Sequence, residues 1–215
     1  VIVIVDYGLG NLASVHNALA RVGASAEIRA DPDGLKGAQG VILPGVGAAS
    51  TGMERMRARG LDAAVLEEAR AGTPILGICL GMQLLFERSE EGDATCLGLL
   101  PGTVRRLEGP VKVPHIGWNE VETQPGSLMF TGLGEREYFY FVHSYICVPA
   151  DAAVSAGTTE YGERFVSAVV DDPVWGTQFH PERSGEAGLQ LIANFAALCV
   201  GHIPAGMPSA SRQSG

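Results

Sequence analysis

Cys79 lies in Gly77-Ile78-Cys79-Leu80-Gly81-Met82-Gln83, with the apolar run Pro74-Ile75-Leu76 before it and Leu84-Leu85-Phe86-Glu87-Arg88 after it. That order predicts a buried strand ending at the cysteine and a helix starting immediately after it. Glycines two residues to either side let the helix close onto the strand while Cys79 takes a strained backbone conformation, the cysteine form of a nucleophile elbow. A sulfur so placed leaves the sheet and meets the positive end of a helix dipole, which favours the thiolate. On these residues alone the stretch also describes a small buried cysteine in a Gly-rich turn. A base separates the two readings, and His180-Pro181-Glu182 offers one. Proline stops strand pairing there, so His180 can act on Cys79 while Glu182 holds the imidazole. The chemistry is acyl transfer from an amide or ester: Cys79 attacks, and His180 gives its proton to the departing group. The N–H of Leu80, with one from Pro44-Gly45-Val46-Gly47, holds the oxyanion; water then releases the acyl group.

These residues must be brought to one edge of a sheet. Val1-Ile2-Val3-Ile4-Val5-Asp6 reads as a central parallel strand, followed by the turn Gly8-Leu9-Gly10-Asn11 and a helix with apolar positions Leu12, Val15, Leu19 and Val22, closed by Gly23. Short strands at Ala26–Arg29 and Val41–Leu43 follow, then a helix from Met53 to Ala71 interrupted at Gly60, then the Cys79 strand. Strands alternating with helices predict an α/β fold: a doubly wound, mixed but largely parallel sheet flanked by helices, flavodoxin-like, with its functional crevice at the carboxyl ends of the strands. Gly8-Leu9-Gly10 with Ala13 and Asp31 also fits a dinucleotide fingerprint, although Asp31-Pro32-Asp33-Gly34 reads more naturally as a turn.

After Ser89 the pattern changes. Glu90-Glu91-Gly92-Asp93 reads as a solvated loop, and β-type runs follow at Thr103–Leu107, Trp118–Glu122, Tyr138–Val148, Ser155–Thr159, Arg164–Val170 and Val174–Phe179, an antiparallel extension of the sheet. Pro114-His115-Ile116-Gly117-Trp118-Asn119 and Tyr138-Phe139-Tyr140-Phe141-Val142-His143-Ser144-Tyr145 are richer in aromatic residues than strand alternation needs; such strands serve either a core or a second surface. Gly185–Cys199 reads as a closing helix, and the Pro/Ser/Ala/Gly-rich stretch over 201–215 as a disordered tail.

With 215 residues, 46% of them apolar, and 29 glycines, the chain suits one globular domain, over 1–200. A net charge of −9 argues against nucleic acid and anionic membrane as partners. No apolar run approaches the roughly 18 residues of a membrane span, and the chain opens on a strand pattern, with no Met and no basic leader. Cys79, Cys96, Cys147 and Cys199 form no metal-binding spacing and are expected as free thiols in the cytoplasm, without a metal site.

The elbow together with His180-Pro181-Glu182 resembles the class I, triad-type glutamine amidotransferases over about residues 1–200. Pro44–Gly47, Pro114–Asn119 and Phe141–Tyr145 are similar to one branch of that family, the glutaminase subunits of imidazole glycerol phosphate synthase. The resemblance implies hydrolysis of L-glutamine to glutamate and ammonia through a Cys79 thioester, with no cofactor. It further implies that ammonia passes to a HisF-like (β/α)₈-barrel cyclase, bound as a heterodimer, in histidine biosynthesis. By the same resemblance Gly47, Gln83 and Ser144 hold glutamine, and the backbone of Leu80, Val46 and Gly47 forms the oxyanion hole. Asn11, Trp118 and Tyr140 face the partner. Such subunits are nearly inactive alone, and a loop that swings its N–H into place when the cyclase is occupied would account for that; the glycines flanking Val46 permit the motion.

Overall fold

A computed structural model describes residues 1–201; beyond Gly201 the expected disordered tail lies outside the described residues. The first half runs β1 (Ile2–Val5), α1 (Leu12–Arg21), β2 (Ala26–Arg29), β3 (Gly40–Gly45), α2 (Ala49–Ala58), α3 (Leu61–Arg70), β4 (Ile75–Cys79) and α4 (Leu80–Leu85). The second runs β5 (Arg88–Ser89), β6 (Ala94–Thr95), β7 (Gly102–Arg106), β8 (His115–Thr123), β9 (Arg136–His143), β10 (Tyr145–Pro149), β11 (Ser155–Tyr161), β12 (Glu163–Asp171), β13 (Val174–Thr177) and α5 (Gly185–Cys199).

The sheet order is β2-β1-β3-β4-β13-β12-β10-β7-β5-β6, with β11 branching from β12 and carrying β8 and then β9. The first five strands are parallel. From β12 onward the pairing is antiparallel except between β5 and β7. The fold is thus α/β with a mixed, largely parallel central sheet flanked by helices and an antiparallel extension.

Alternate residues of the parallel strands feed two cores. Val3, Val5, Val41, Leu43 and Ile75 pack with Met53, Met56, Leu61, Val65 and Leu84 on the α2–α4 side. Ile2, Ile4, Ile42, Leu76 and Ile78 pack with Val15, Leu19, Leu191, Ile192 and Phe195 on the α1–α5 side. Burial on both faces explains why these strands are unbroken apolar runs.

Besides shifts of one to three residues at strand ends, three features differ from expectation. The long helix divides at the expected residue, Gly60, whose φ of 68° no side-chain-bearing residue adopts readily, but it begins at Ala49, four residues early. The Tyr138–Val148 run breaks at Ser144 into two strands with different partners, β8 for β9, and β7 and β12 for β10. Glu90–Asp93 is the turn of a small β5–β6 hairpin that folds back over α2, and Glu91 there is half-buried rather than solvated: its carboxylate accepts the Ala49 N–H at 3.0 Å.

Candidate active site

Cys79 ends β4 with φ 55° and ψ −109°, a conformation costly for a residue with a side chain. The glycines around it make the conformation possible. A Cβ on Gly77 would lie 2.7 Å from the Gly81 carbonyl and the Met82 nitrogen, and one on Gly81 would fall inside the Leu43 carbonyl. No larger residue fits between the strand and α4. Leu80 is the first helical residue, so its backbone N–H has no partner within α4.

The two other members arrive from beyond β13, which lies beside β4 in parallel register. Strand pairing stops at Thr177, and Pro181 opens a single helical turn that brings Glu182 back against His180. His180 Nδ1 donates to Glu182 Oε1 at 2.9 Å, with the two side chains 6% and 2% exposed. That leaves Nε2 as the nitrogen available to Cys79. Burial by itself would push the imidazolium pKa down; the interactions with Cys79 and Glu182 overcome it and raise the pKa to about 10. The Cys79 thiol also reaches the Val142 carbonyl, at 3.6 Å, and receives the Gln178 Nε2 donor at 3.7 Å.

A cavity of about 320 Å³ opens over the thiol. Its wall includes Val46, Gly47, Leu80, Gln83, Glu91 and the segment Val142–Tyr145, so all three residues expected to hold the substrate, Gly47, Gln83 and Ser144, border it. The Gln83 amide is engaged internally, donating to the Tyr145 carbonyl at 3.2 Å and to Gln178 Oε1 at 3.1 Å. Gly47 has φ 101° with open space around it, and Val46 is 46% exposed. Beneath this loop the Tyr7 hydroxyl is fully buried against Gly45 and, among the described residues, has no hydrogen-bond partner. Glu182 Oε2 is likewise buried without a partner.

Such an assembly can cleave an amide through a thioester. The matching family model is that of class-I glutamine amidotransferases, over residues 3–199. Imidazole glycerol phosphate synthase subunit HisH of Moorella thermoacetica is 50% identical over 92% of this chain and 94% of the relative. The Dehalococcoides mccartyi subunit of the same name is 46% identical over 93% and 98%. The chain belongs to the class-I glutamine amidotransferases, in the HisH family. A solved glutamine amidotransferase superposes with a TM-score of 0.74 at 21% identity over 93% of this chain and 98% of that one. The structure of PurLQS from Thermotoga maritima gives 0.74 at 19% over 92% and 97%. At those identities the likeness is one of fold.

The residues expected at a partner surface fall in two places. On β8 and β9, Ile116, Trp118 and Tyr138 are 59%, 56% and 58% exposed and share one face of the ladder, where Trp118 pairs with Tyr140. The Trp118 and Tyr140 rings meet edge-on at 6.1 Å, and the Arg183 guanidinium sits 4.4 Å over Tyr140. The opposite face, with His115, Phe139, Phe141 and His143, is buried. The aromatic runs therefore supply one core face and one exposed face. Asn11 is exposed and caps α1, accepting the Ser14 N–H at 3.4 Å.

In this glutamine amidotransferase the Gly-rich first turn is occupied by protein. Arg55 donates to the Gly8 carbonyl at 2.6 Å, and Asp31 caps its own turn by accepting the Gly34 N–H at 2.9 Å. Nothing there favours the dinucleotide reading. Among the described residues no His/Cys/Asp/Glu cluster is arranged for a metal, and no helix is long and apolar enough to cross a membrane. Sequence reasoning missed Glu91, Gln178 and the histidines His115 and His143. Only His115 and His143 left a signal, in the polar positions of the two aromatic runs.

Proposed function

We propose that this chain is the glutaminase subunit of an imidazole glycerol phosphate synthase, that Cys79, His180 and Glu182 are its catalytic residues, and that it passes ammonia to a HisF-like (β/α)₈-barrel cyclase. What carries this reading is a strained cysteine and a glycine loop that border one cavity, with, at the end of the strand beside that cysteine, a histidine held on Nδ1 by a buried carboxylate. The Cys79 thiolate attacks the glutamine carboxamide carbon. The oxygen that becomes negative is held by the Leu80 N–H and by an N–H of Val46 or Gly47. His180, kept protonated beside the thiolate, gives Nε2–H to the amine nitrogen, and ammonia leaves. Glu182 holds the imidazole in the tautomer this needs. His180, now neutral, takes a proton from water as it attacks the thioester, and glutamate is released. Gly47, Gln83 and Ser144 bind the amino-acid end of the substrate. The exposed aromatic face around Trp118 and Tyr140, with Asn11, meets the cyclase. Four free cysteines fit a cytoplasmic enzyme.

The test is glutamate release by the purified chain, alone and with a HisF-like barrel and its nucleotide ligand. Low activity that rises by orders of magnitude in the complex is the expected result. High activity indifferent to the barrel would keep the chemistry and remove the partner.

A further inference from the structure

One buried polar assembly is not used by the steps above. Between the aromatic face and the cavity, Asn119, His115 and His143 form a continuous hydrogen-bonded chain. Asn119 Nδ2 lies 3.3 Å from His115 Nε2, His115 Nδ1 lies 2.9 Å from His143 Nε2, and His143 Nδ1 lies 2.9 Å from the Tyr145 carbonyl.

The direction of every bond follows from its ends. A carbonyl only accepts, so His143 carries its proton on Nδ1 and donates to Tyr145. Burial pushes the His143 pKa down to about 3 and that of His115 to about 4, so both rings are neutral near pH 7. His143 Nε2 is then bare and accepts, which requires the proton of His115 on Nδ1 and leaves His115 Nε2 to accept from Asn119. The Asn119 amide is fixed in turn: its Oδ1 accepts the Glu120 N–H at 2.8 Å, and its Nδ2 also donates to the Glu160 carbonyl at 3.1 Å. Aromatic rings hold the imidazole of His115 from both sides, Tyr161 at 3.9 Å and Phe141 at 4.8 Å between centroids.

The chain ends where the cavity wall lacks support. Strand pairing breaks at Ser144, between β9 and β10, and the His143 ring closes that corner by bonding a carbonyl two residues ahead of it. The same Tyr145 carbonyl accepts from Gln83, and the Val142 carbonyl on the other side of His143 lies 3.6 Å from the Cys79 sulfur.

We propose that His115 and Asn119 are positioning residues for substrate: through His143 they hold the Val142–Tyr145 wall, and with it Ser144 and Gln83, in the shape that receives the glutamine α-amino and carboxylate groups. This rests on the reading of the cavity as the glutamine site. It makes β8 a strand with two duties, an outer face toward the partner and an inner face that sets affinity for substrate.

Two measurements test it. Long-range ¹H–¹⁵N NMR of the histidine rings at pH 7 should show His115 and His143 both neutral and both protonated on Nδ1, the tautomer that a free histidine side chain disfavours. A proton on Nε2 of either ring, or an imidazolium, would overturn the chain whatever the enzyme's activity. Steady-state kinetics of the assembled synthase then reads its purpose. His115→Phe keeps the ring stacks and loses both nitrogens; KM for glutamine should rise about tenfold, kcat should change less than threefold, and alkylation of Cys79 by iodoacetamide should be unaltered. His115→Asn puts an amide N–H where Nδ1–H was and should return KM to within about threefold of wild type. A folded His115→Phe enzyme with wild-type KM overturns the proposal. If His115→Phe does not fold, Asn119→Ala, which removes the outer bond of the chain along with those to Glu120 and Glu160 and leaves both imidazoles in place, must still raise KM, and an unchanged value has the same force. Wild-type complex that releases no glutamate would instead sink the functional reading, with the NMR result still standing.

Discussion

Glycine serves opposite purposes on the two loops that face each other across the cavity. At the β4–α4 elbow, Gly77 and Gly81 are there for want of room: either Cβ would strike backbone, of α4 in one case and of β3 in the other. At the β3–α2 loop, Gly47 has room on every side and is needed only for its φ of 101°. The elbow is strained and its backbone is closed in by β3 and α4, so Cys79 has one place to be. The loop is exposed at Val46 and free of steric walls at Gly47, so its peptide groups can turn. A nucleophile gains from being fixed, whereas an oxyanion donor that answers to a partner has to move.

The largest effect should come from filling the elbow. Gly81→Ala puts a methyl group into the Leu43 carbonyl, and neither the strand nor the helix can yield without disturbing the core on the α2–α4 side. We expect a loss of more than about 3 kcal/mol in denaturant unfolding, or no soluble protein. A variant with a wild-type unfolding midpoint would show that the elbow is looser than its geometry.

Glu182→Gln comes next and leaves both loops intact. Turnover should fall by about 10³-fold or more, since the amide no longer holds His180 as its charged tautomer requires, while Cys79 remains open to alkylation. There is a pH signature as well. In the folded enzyme the His180 pKa is raised to about 10 from an ordinary 6.5. The stability this supplies is present in full below pH 6.5 and is lost as pH rises through 10. With glutamine at 182 part of it disappears, so the stability gap between wild type and variant should be widest at the acid end of that window and close toward pH 10. Equal turnover would remove Glu182 from the catalytic group.

Gly47→Ala inverts the elbow result. With nothing to strike, the methyl group meets only the strain of a positive φ, and because an exposed loop can relax the cost should stay at about 1–2 kcal/mol, below that of Gly81→Ala. If, as proposed, this peptide meets the oxyanion, relaxation moves it and partner-activated turnover should fall about 10²-fold. A variant that lost as much stability as Gly81→Ala would make the loop a second elbow.

How much of this was legible beforehand follows the range of each interaction. The elbow is local: apolar strand, glycines at two removes and helix are consecutive in the chain, so Cys79 could be read from seven residues. The parallel strands were legible because burial on both faces leaves unbroken apolar runs. His180 and Glu182 announced themselves by their spacing around Pro181. Glu91 did not, for an acid beside Glu90 and Asp93 looks solvated until the β5–β6 hairpin carries it to the first turn of α2. The contact between His115 and His143 depends on the β8–β9 register, which puts them directly opposite each other. No single strand contains that register. Nor does the unbroken β pattern of Tyr138–Val148 show its break at Ser144.

The smallest expected effect falls between the two loops, at Tyr7. Its hydroxyl is buried against Gly45 with no partner, and burial drives its pKa far above the ordinary value. A buried hydroxyl that bonds nothing forfeits its hydration for no return. Tyr7→Phe removes that oxygen and keeps the ring packed among Gly52, Leu80 and the α2–α4 core. If the rigid side of the site extends beneath the loop, the variant should be more stable by about 1 kcal/mol, with activated turnover within twofold of wild type. If the loop turns during activation and a carbonyl swings inward, the hydroxyl gains a partner only in the active state. Tyr7→Phe would then gain the same stability at rest and lose turnover several-fold in the complex. Unfolding of the free chain and glutamate release by the assembled synthase, measured on this one substitution, therefore show on which side of the line between fixed and moving parts the floor of the loop belongs.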